Sequence, residues 1–327
     1  MSTEKTSATM RDELYRALRA EMEADPAVLL IGEDVREYGG AFAVTDDLYE
    51  RFPERVLNAP ISENSYVGVA VGAALGGRRV VTEIMFMDFI TLAMDQIVNH
   101  AGKINYMYAG QFSVPIVIRT PYGGYRGYGP SHSQSLASWF MSAPGLKIVA
   151  PADPAHACSL LRQSIRDENP VLFLEHKLLY GEKCALTDRS EWPIGKARIA
   201  SDGSDVSIIT YGLGVKMALK AAGLLASEDI DVEVIDLVTL KPYDRDTIFE
   251  SVRKTGKAVF LEEGVVTGGV GAEICSAVAE NCLWDLDGQL QRIGARDIPI
   301  PCSPEAEKMV LPGIDDVVRA VRNVLAV

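Results

Sequence analysis

The stretches AVLLIGEDV, RRVVTEIMF, VPIVIRTPY and NPVLFLEH are rich in Val, Ile and Leu, with little alternation of apolar and polar positions. A strand with one wet face alternates, whereas a strand covered on both faces does not. Between these stretches lie longer segments with helical spacing, such as AHACSLLRQSIRD. Strands that alternate with helices, and are apolar on both faces, predict an α/β chain whose mostly parallel sheets are covered by helices.

The elements can be placed more closely. Leu14, Ala17, Leu18 and Met22 predict a helix over 10–25 that Asp25-Pro26 ends. GGAFAVTDDLYERF reads as a glycine loop entering a helix, with Thr45 as its N-cap. FITLAMDQIVNHAGKINYM reads as one long helix. The rhythm breaks over the polar stretch 186–203 and restarts with DVSIITYG, VKMALKAAGLLASE, DVEVIDLVTL, DRDTIFESVRKTG, KAVFLEEG and GGVGAEICSAVAENC. The division expected is therefore a first α/β domain over 1–185, a linker over 186–203 and a second α/β domain over 204–327.

Charge and composition narrow the function classes. The 45 acids outnumber the 32 bases, giving a formal net charge of -13. That balance argues against nucleic acid and against anionic membrane surfaces. Five cysteines without a CxxC pair, and four dispersed histidines, give no disulfide frame and no metal-ligand spacing. No apolar run approaches the roughly 18 residues of a membrane span. The N-terminal MSTEKTSATMRDELYRALRAEME mixes acids and bases, unlike a secretory or transit signal, so a cytoplasmic protein is expected.

Two features draw attention as chemistry. In APISENSYVGVAVGAALGG a single carboxylate, Glu63, opens a segment otherwise free of charge, followed by Gly68, Gly72 and Gly76. An acid at a helix start is favoured by the macrodipole alone. The alternative is an acid held among apolar neighbours with a proton to share. Each glycine costs about 1 kcal/mol relative to alanine in a helix, so close backbone approach is expected, either inside the domain or between subunits. The second feature is GYRGYGPSHSQS, which follows the strand VPIVIRT at its carboxyl end, where open parallel sheets bind ligands. His132 in it is either a hydrogen-bonded loop residue or a functional one, and its location favours function. There is no GxxxxGK[ST] loop and no GxSxG elbow, and GGVGAE at 268–273 lacks the rest of a dinucleotide fingerprint.

Taken in order, GED, GGAFAVT, PISE, EIMFMDF, DQIVNHAGKINYMYAGQ, GPSHSQS, PGLKIVAPADP, RDENPVLFLEHKLLY, GLGVKMALKAA, DVEVIDLVTLKPYD and GGVGAEI resemble the beta subunit of thiamine diphosphate-dependent 2-oxo acid dehydrogenases. The resemblance runs from about Met10 to the C-terminus. It implies a pyrimidine-binding domain followed by a transketolase C-terminal-type domain. It implies that Glu63 hydrogen-bonds the cofactor's aminopyrimidine, that Phe89 stacks on that ring, and that His132 assists acyl transfer to a lipoyl group. Backbone carbonyls around Ile116, Ser164, Asp167 and Asn169 match a structural potassium site of some members.

The family's GDG…N motif for the diphosphate and magnesium is missing here. The resemblance therefore implies a separate alpha subunit, a 2 + 2 heterotetramer, and a lipoyl-bearing acyltransferase as further partner. The chain departs from the family at NAP before ISE, at Ser131, and in lacking an acid over 135–140. Those departures bear on substrate and acceptor. A pyruvate-like or branched-chain 2-oxo acid is expected, with acetoin cleavage, a split transketolase-like ketol or acyl transferase, and a non-catalytic scaffold as the competing readings.

Overall fold

The computed structural model describes residues 6–326, so the first five residues of the N-terminal segment lie outside it. The described residues form two compact units, one of residues 6–122 with 142–194 and one of residues 123–141 with 195–326. The segment 123–141 thus leaves the first unit in mid-sequence and folds with the second.

In the first unit, strands run in the order Val56–Asn58, Val28–Gly32, Arg79–Glu83, Ile116–Tyr122, Val171–His176, Lys147–Val149, each parallel to its neighbours. Ile116–Tyr122 and Val171–His176 are buried along their whole length, as patterning with little apolar–polar alternation implies. The helix Met10–Ala24 is closed by a Thr9/Asp12 capping box and ends at Asp25, where Pro26 cannot continue it. It packs on the helix Pro154–Arg166. Ser7–Thr9 pairs antiparallel with Lys183–Ala185.

Two local expectations fail. Thr45 caps no helix: its buried hydroxyl donates instead to the Val35 carbonyl at 3.3 Å, tying the loop to itself. The helix after it is the single turn Leu48–Arg51. The segment expected as one long helix is wound unevenly, as a 3₁₀ stretch Met87–Ala93, a π stretch Asp95–Ala101 and a short α turn Ile104–Met107. Gly102 ends the π stretch, and a side chain there would press on the Pro144 carbonyl at 2.9 Å.

In the second unit the sheet order is Gln291–Ala295, Ala258–Val265, Val206–Thr210, Val232–Asp236, Arg198–Ser201. The last strand is antiparallel and lies in the stretch read from sequence as linker. Ile208, Val234, Leu261, Ala218 and Val321 meet in its core, the last on a terminal helix, Ile314–Leu325.

Candidate functional site

The carboxyl ends of four neighbouring strands in the first unit finish on polar or aromatic groups. Val28–Gly32 is followed by Glu33; the next three end on Glu83, Tyr122 and His176. Glu63 is the first residue of the helix Glu63–Leu75, which packs against the sheet and against Met87–Ala93. Ser62 makes no side-chain cap, so the acid itself occupies the positive end of the helix.

Glu63 is buried, at 4% exposure, and its electrostatic neighbours are acids and a phenol. Glu33 is pushed up to about 7, first by burial and then by the charges of Glu63 and Asp34, with the Tyr66 hydroxyl opposing. Tyr66 is held above the usual phenol range by burial, then by Glu33, Glu63 and Glu83. The Tyr66–Glu33 contact is a loose one: neither Glu33 Oε1 nor Tyr66 Oη, both buried, has a partner at full hydrogen-bond geometry. Two such atoms side by side are costly unless water or a ligand meets them.

Beneath this cluster lies a buried ion network. Arg119, 1% exposed, grips Glu175 with two bonds of 2.7 Å and Glu83 with one of 2.6 Å. Tyr180 Oη donates to Glu175 at 2.7 Å. Burial raises the Glu83 carboxyl while Arg119 pulls it down. The Ala41 N–H also bonds Glu83, and a Cβ on Gly40, at φ +80°, would collide with its Oε1. The loop after Glu33 is thereby fastened to the network.

An aromatic wall stands beside it. Phe42 stacks on Tyr180 at 5.3 Å and meets Phe86 edge-on at 5.6 Å; Phe86 meets Phe89 edge-on at 6.1 Å. The buried Lys177 ammonium sits 5.2 Å from the Phe86 ring centre. Phe89, half-buried, therefore lies on the segment that packs against the helix of Glu63.

His132 belongs to the second unit. Its loop is stapled by two carboxylates: Glu307 accepts from the Tyr125 and Gly127 N–H groups at 2.8 and 2.9 Å, and Glu263 accepts from Gly124 N–H. Tyr125, Gly127 and Gly129 all take positive φ, and a Cβ on Gly129 would collide with Cys302 Sγ. His132 Nδ1 lies 3.1 Å from Ser131 Oγ. The loop histidine is thus held by a built frame.

Ile116 opens its central strand, at the opposite end from Tyr122. Ser164 lies in the last turn of the helix Pro154–Arg166, with Asp167 and Asn169 just beyond. The Ser164 carbonyl accepts the Asp167 N–H at 3.3 Å, and the Asp167 carbonyl accepts from Arg79 at 3.3 Å. The glycine ladder divides: a Cβ on Gly68 would meet Gln96 at 3.2 Å, whereas one on Gly72 would meet nothing within 4 Å.

Sequence reading missed Glu33, Tyr66 and the Arg119 network. The signal for the network was present: Glu83, Arg119 and Glu175 each interrupt an apolar strand near its carboxyl end, where an unpaired charge would be intolerable.

Residues 6–183 match the family described as "Transketolase, pyrimidine binding domain", and residues 195–317 match "Transketolase, C-terminal domain". The "Pyruvate dehydrogenase E1 component subunit beta, mitochondrial" of Pisum sativum is 48% identical over 321 residues, covering 96% of this chain and 89% of the relative. The "Pyruvate dehydrogenase E1 component subunit beta" of Rickettsia bellii is 43% identical, covering 97% of this chain and 98% of the relative. Among solved structures, a "Split gene transketolase, inactive beta4 tetramer" superposes with a TM-score of 0.82 at 25% identity, over 97% of this chain and 98% of that one.

Proposed function

The chain belongs to the family of E1-component beta subunits, built on transketolase-type domains, and on that premise we propose that it is the cofactor-activating half of a thiamine diphosphate-dependent 2-oxo acid dehydrogenase. The observation that carries this reading is Glu63, buried at a helix start among Glu33 and Tyr66, beside an aromatic wall. When bound, thiamine diphosphate supplies the electron sink for loss of carbon dioxide from a 2-oxo acid.

The residues fit one end of that cofactor. The unpartnered Glu33 Oε1 and Tyr66 Oη mark a polar spot in an apolar surround, suited to a neutral nitrogen heterocycle. Glu63 would hold a proton toward a ring nitrogen, and Phe89 would cover the ring face. The same acids repel a diphosphate, so the diphosphate and its magnesium are assigned mainly to an alpha subunit. That gives a 2 + 2 assembly in which this chain supplies Glu63 and His132, the latter for acyl transfer to a lipoyl group on an acyltransferase. The domain division proposed is 1–185, 186–203 and 204–327, with the segment 123–141 folding alongside the latter.

A potassium ion at the Ile116, Ser164, Asp167 and Asn169 carbonyls belongs to the proposal too. Each carbonyl has two lone pairs, and Arg79 takes one at Asp167. The ion would share this corner with a guanidinium. Among the described residues no helix is long and apolar enough to cross a membrane, and the compartment proposed is the cytoplasm.

A second reading, half of a split transketolase, is favoured by the 25% likeness to the split-gene structure; the 48% identity to an E1 beta subunit favours the first. Acetoin cleavage is the near variant of the first. The test is Glu63→Gln and His132→Ala in the chain assembled with its alpha subunit, assayed both with an artificial electron acceptor and with lipoyl acceptor. Glu63→Gln is expected to lose most activity in both assays, and His132→Ala chiefly in the second. Full turnover by Glu63→Gln would sink the proton-holding role.

A further inference from the structure

A cleft of about 420 Å³ in the first unit is lined by Arg16, Arg162, Arg166 and Arg189, with Ser159 and Ser190 between them. The arginines stand on two acids that the packing of Met10–Ala24 against Pro154–Arg166 buries, Glu13 at 0% and Glu21 at 3% exposure. Glu13 receives Arg16 at 3.0 and 2.6 Å and Arg189 at 2.8 and 2.5 Å. Glu21 receives Arg162 at 2.6 Å and Arg166 at 2.9 and 2.8 Å. Charge balance for a buried carboxylate needs one guanidinium, and each here has two. Two positive charges are left over in a chain whose net charge is -13.

The hydrogen bonds to Glu13 and Glu21 use only one edge of each guanidinium. Among the described residues, Arg16 Nη1, Arg166 Nη1, Arg189 Nη1 and both Nη atoms of Arg162 donate to no protein group. Forked, permanently charged donors converging on one concavity match the oxygens of phosphate groups. Burial holds the Cys158 thiol above its usual range in spite of these cations, so the cleft offers no thiolate for covalent chemistry. The one acid among the lining residues is the exposed Glu191.

We infer that this cleft is a binding site for a small phosphorylated ligand of the diphosphate class, made by residues that take no part in the Glu63 site. Bound there, the ligand bridges the two helices to the strap that carries Arg189 and Ser190.

The test is calorimetry with inorganic pyrophosphate on the alpha–beta assembly, its catalytic sites first filled with one equivalent of thiamine diphosphate. Arg162→Gln/Arg189→Gln leaves each buried acid one arginine, Arg166 for Glu21 and Arg16 for Glu13, so the fold keeps its anchors. The expected result is one pyrophosphate per beta chain, weakened roughly tenfold or more in the double variant. Glu191→Gln, at an exposed position, is expected to tighten binding roughly twofold to fivefold by removing a like charge from the rim. No binding by the unmodified assembly, equal affinity in the double variant, or no gain from Glu191→Gln would each overturn the assignment.

Discussion

Arg119→Met asks whether the buried network supports the site. The substitution keeps an apolar stem of similar length but removes the cation between Glu83 and Glu175, both almost fully buried. Deleting one partner of a buried pair costs about 3–5 kcal/mol, because the remaining charge must stay desolvated or take a proton. In a unit of this size each kcal/mol moves the midpoint by about 2–4 °C, so a fall of roughly 6–20 °C is expected at pH 7.5.

The pH dependence has a definite sign. The folded Glu83 carboxyl is already raised by burial, and without Arg119 only the Ala41 N–H is left to pull it back. A carboxyl raised in the folded state binds its proton more tightly there, so stability falls as pH rises from the ordinary carboxylate range toward the folded value. The gap between variant and parent should be wider at pH 8 than at pH 5.5. Scanning calorimetry at both values decides the matter; a midpoint within 2 °C of the parent, or a gap that widens on acidification, would refute the reasoning. Loss of the anchor should also loosen the Gly40–Ala41 loop, read as faster amide exchange there.

Two further outcomes are expected. Glu33→Gln removes a carboxyl held up to about 7, whose proton the parent must surrender as pH rises through that value. The variant should therefore gain stability relative to the parent between pH 5 and pH 8, and a parallel pair of melting-versus-pH curves would contradict this. Gly72→Leu adds a side chain where the chain itself offers open space, so the isolated chain should melt no lower. Sedimentation of the mixture with an alpha subunit should instead show failed assembly, and an unchanged profile would place that helix face away from any interface.

The strands were legible because burial on both faces leaves a mostly apolar run with little alternation, as at Ile116–Tyr122 and Val171–His176. Met10–Ala24 was legible through its spacing and its Asp25-Pro26 stop. Other features depend on tertiary contacts that leave little local trace. The uneven winding of 87–107 follows packing on the Glu63 helix, and periodicity alone reads it as regular. The strand Arg198–Ser201 sits at a sheet edge, half-exposed and polar, so it resembles linker. Thr45 has the chemistry of a cap, but its hydroxyl found the Val35 carbonyl first. At the site, Glu63 stood out as a lone charge in an apolar segment. Glu33 did not, because its significance lies in proximity to Tyr66 and Glu63, which only the fold creates. Gly68 and Gly72 looked equivalent in sequence, and only the structure separates the inward position from the outward one.

The central claim is that this chain activates the pyrimidine end of thiamine diphosphate and lacks the means to hold its diphosphate. Calorimetric titration of thiamine diphosphate with magnesium, into this chain alone and into its mixture with an alpha subunit, tests it most directly. The account predicts saturable binding only in the mixture, abolished or greatly weakened when the alpha subunit's diphosphate residues are removed. Tight binding by this chain alone would contradict it.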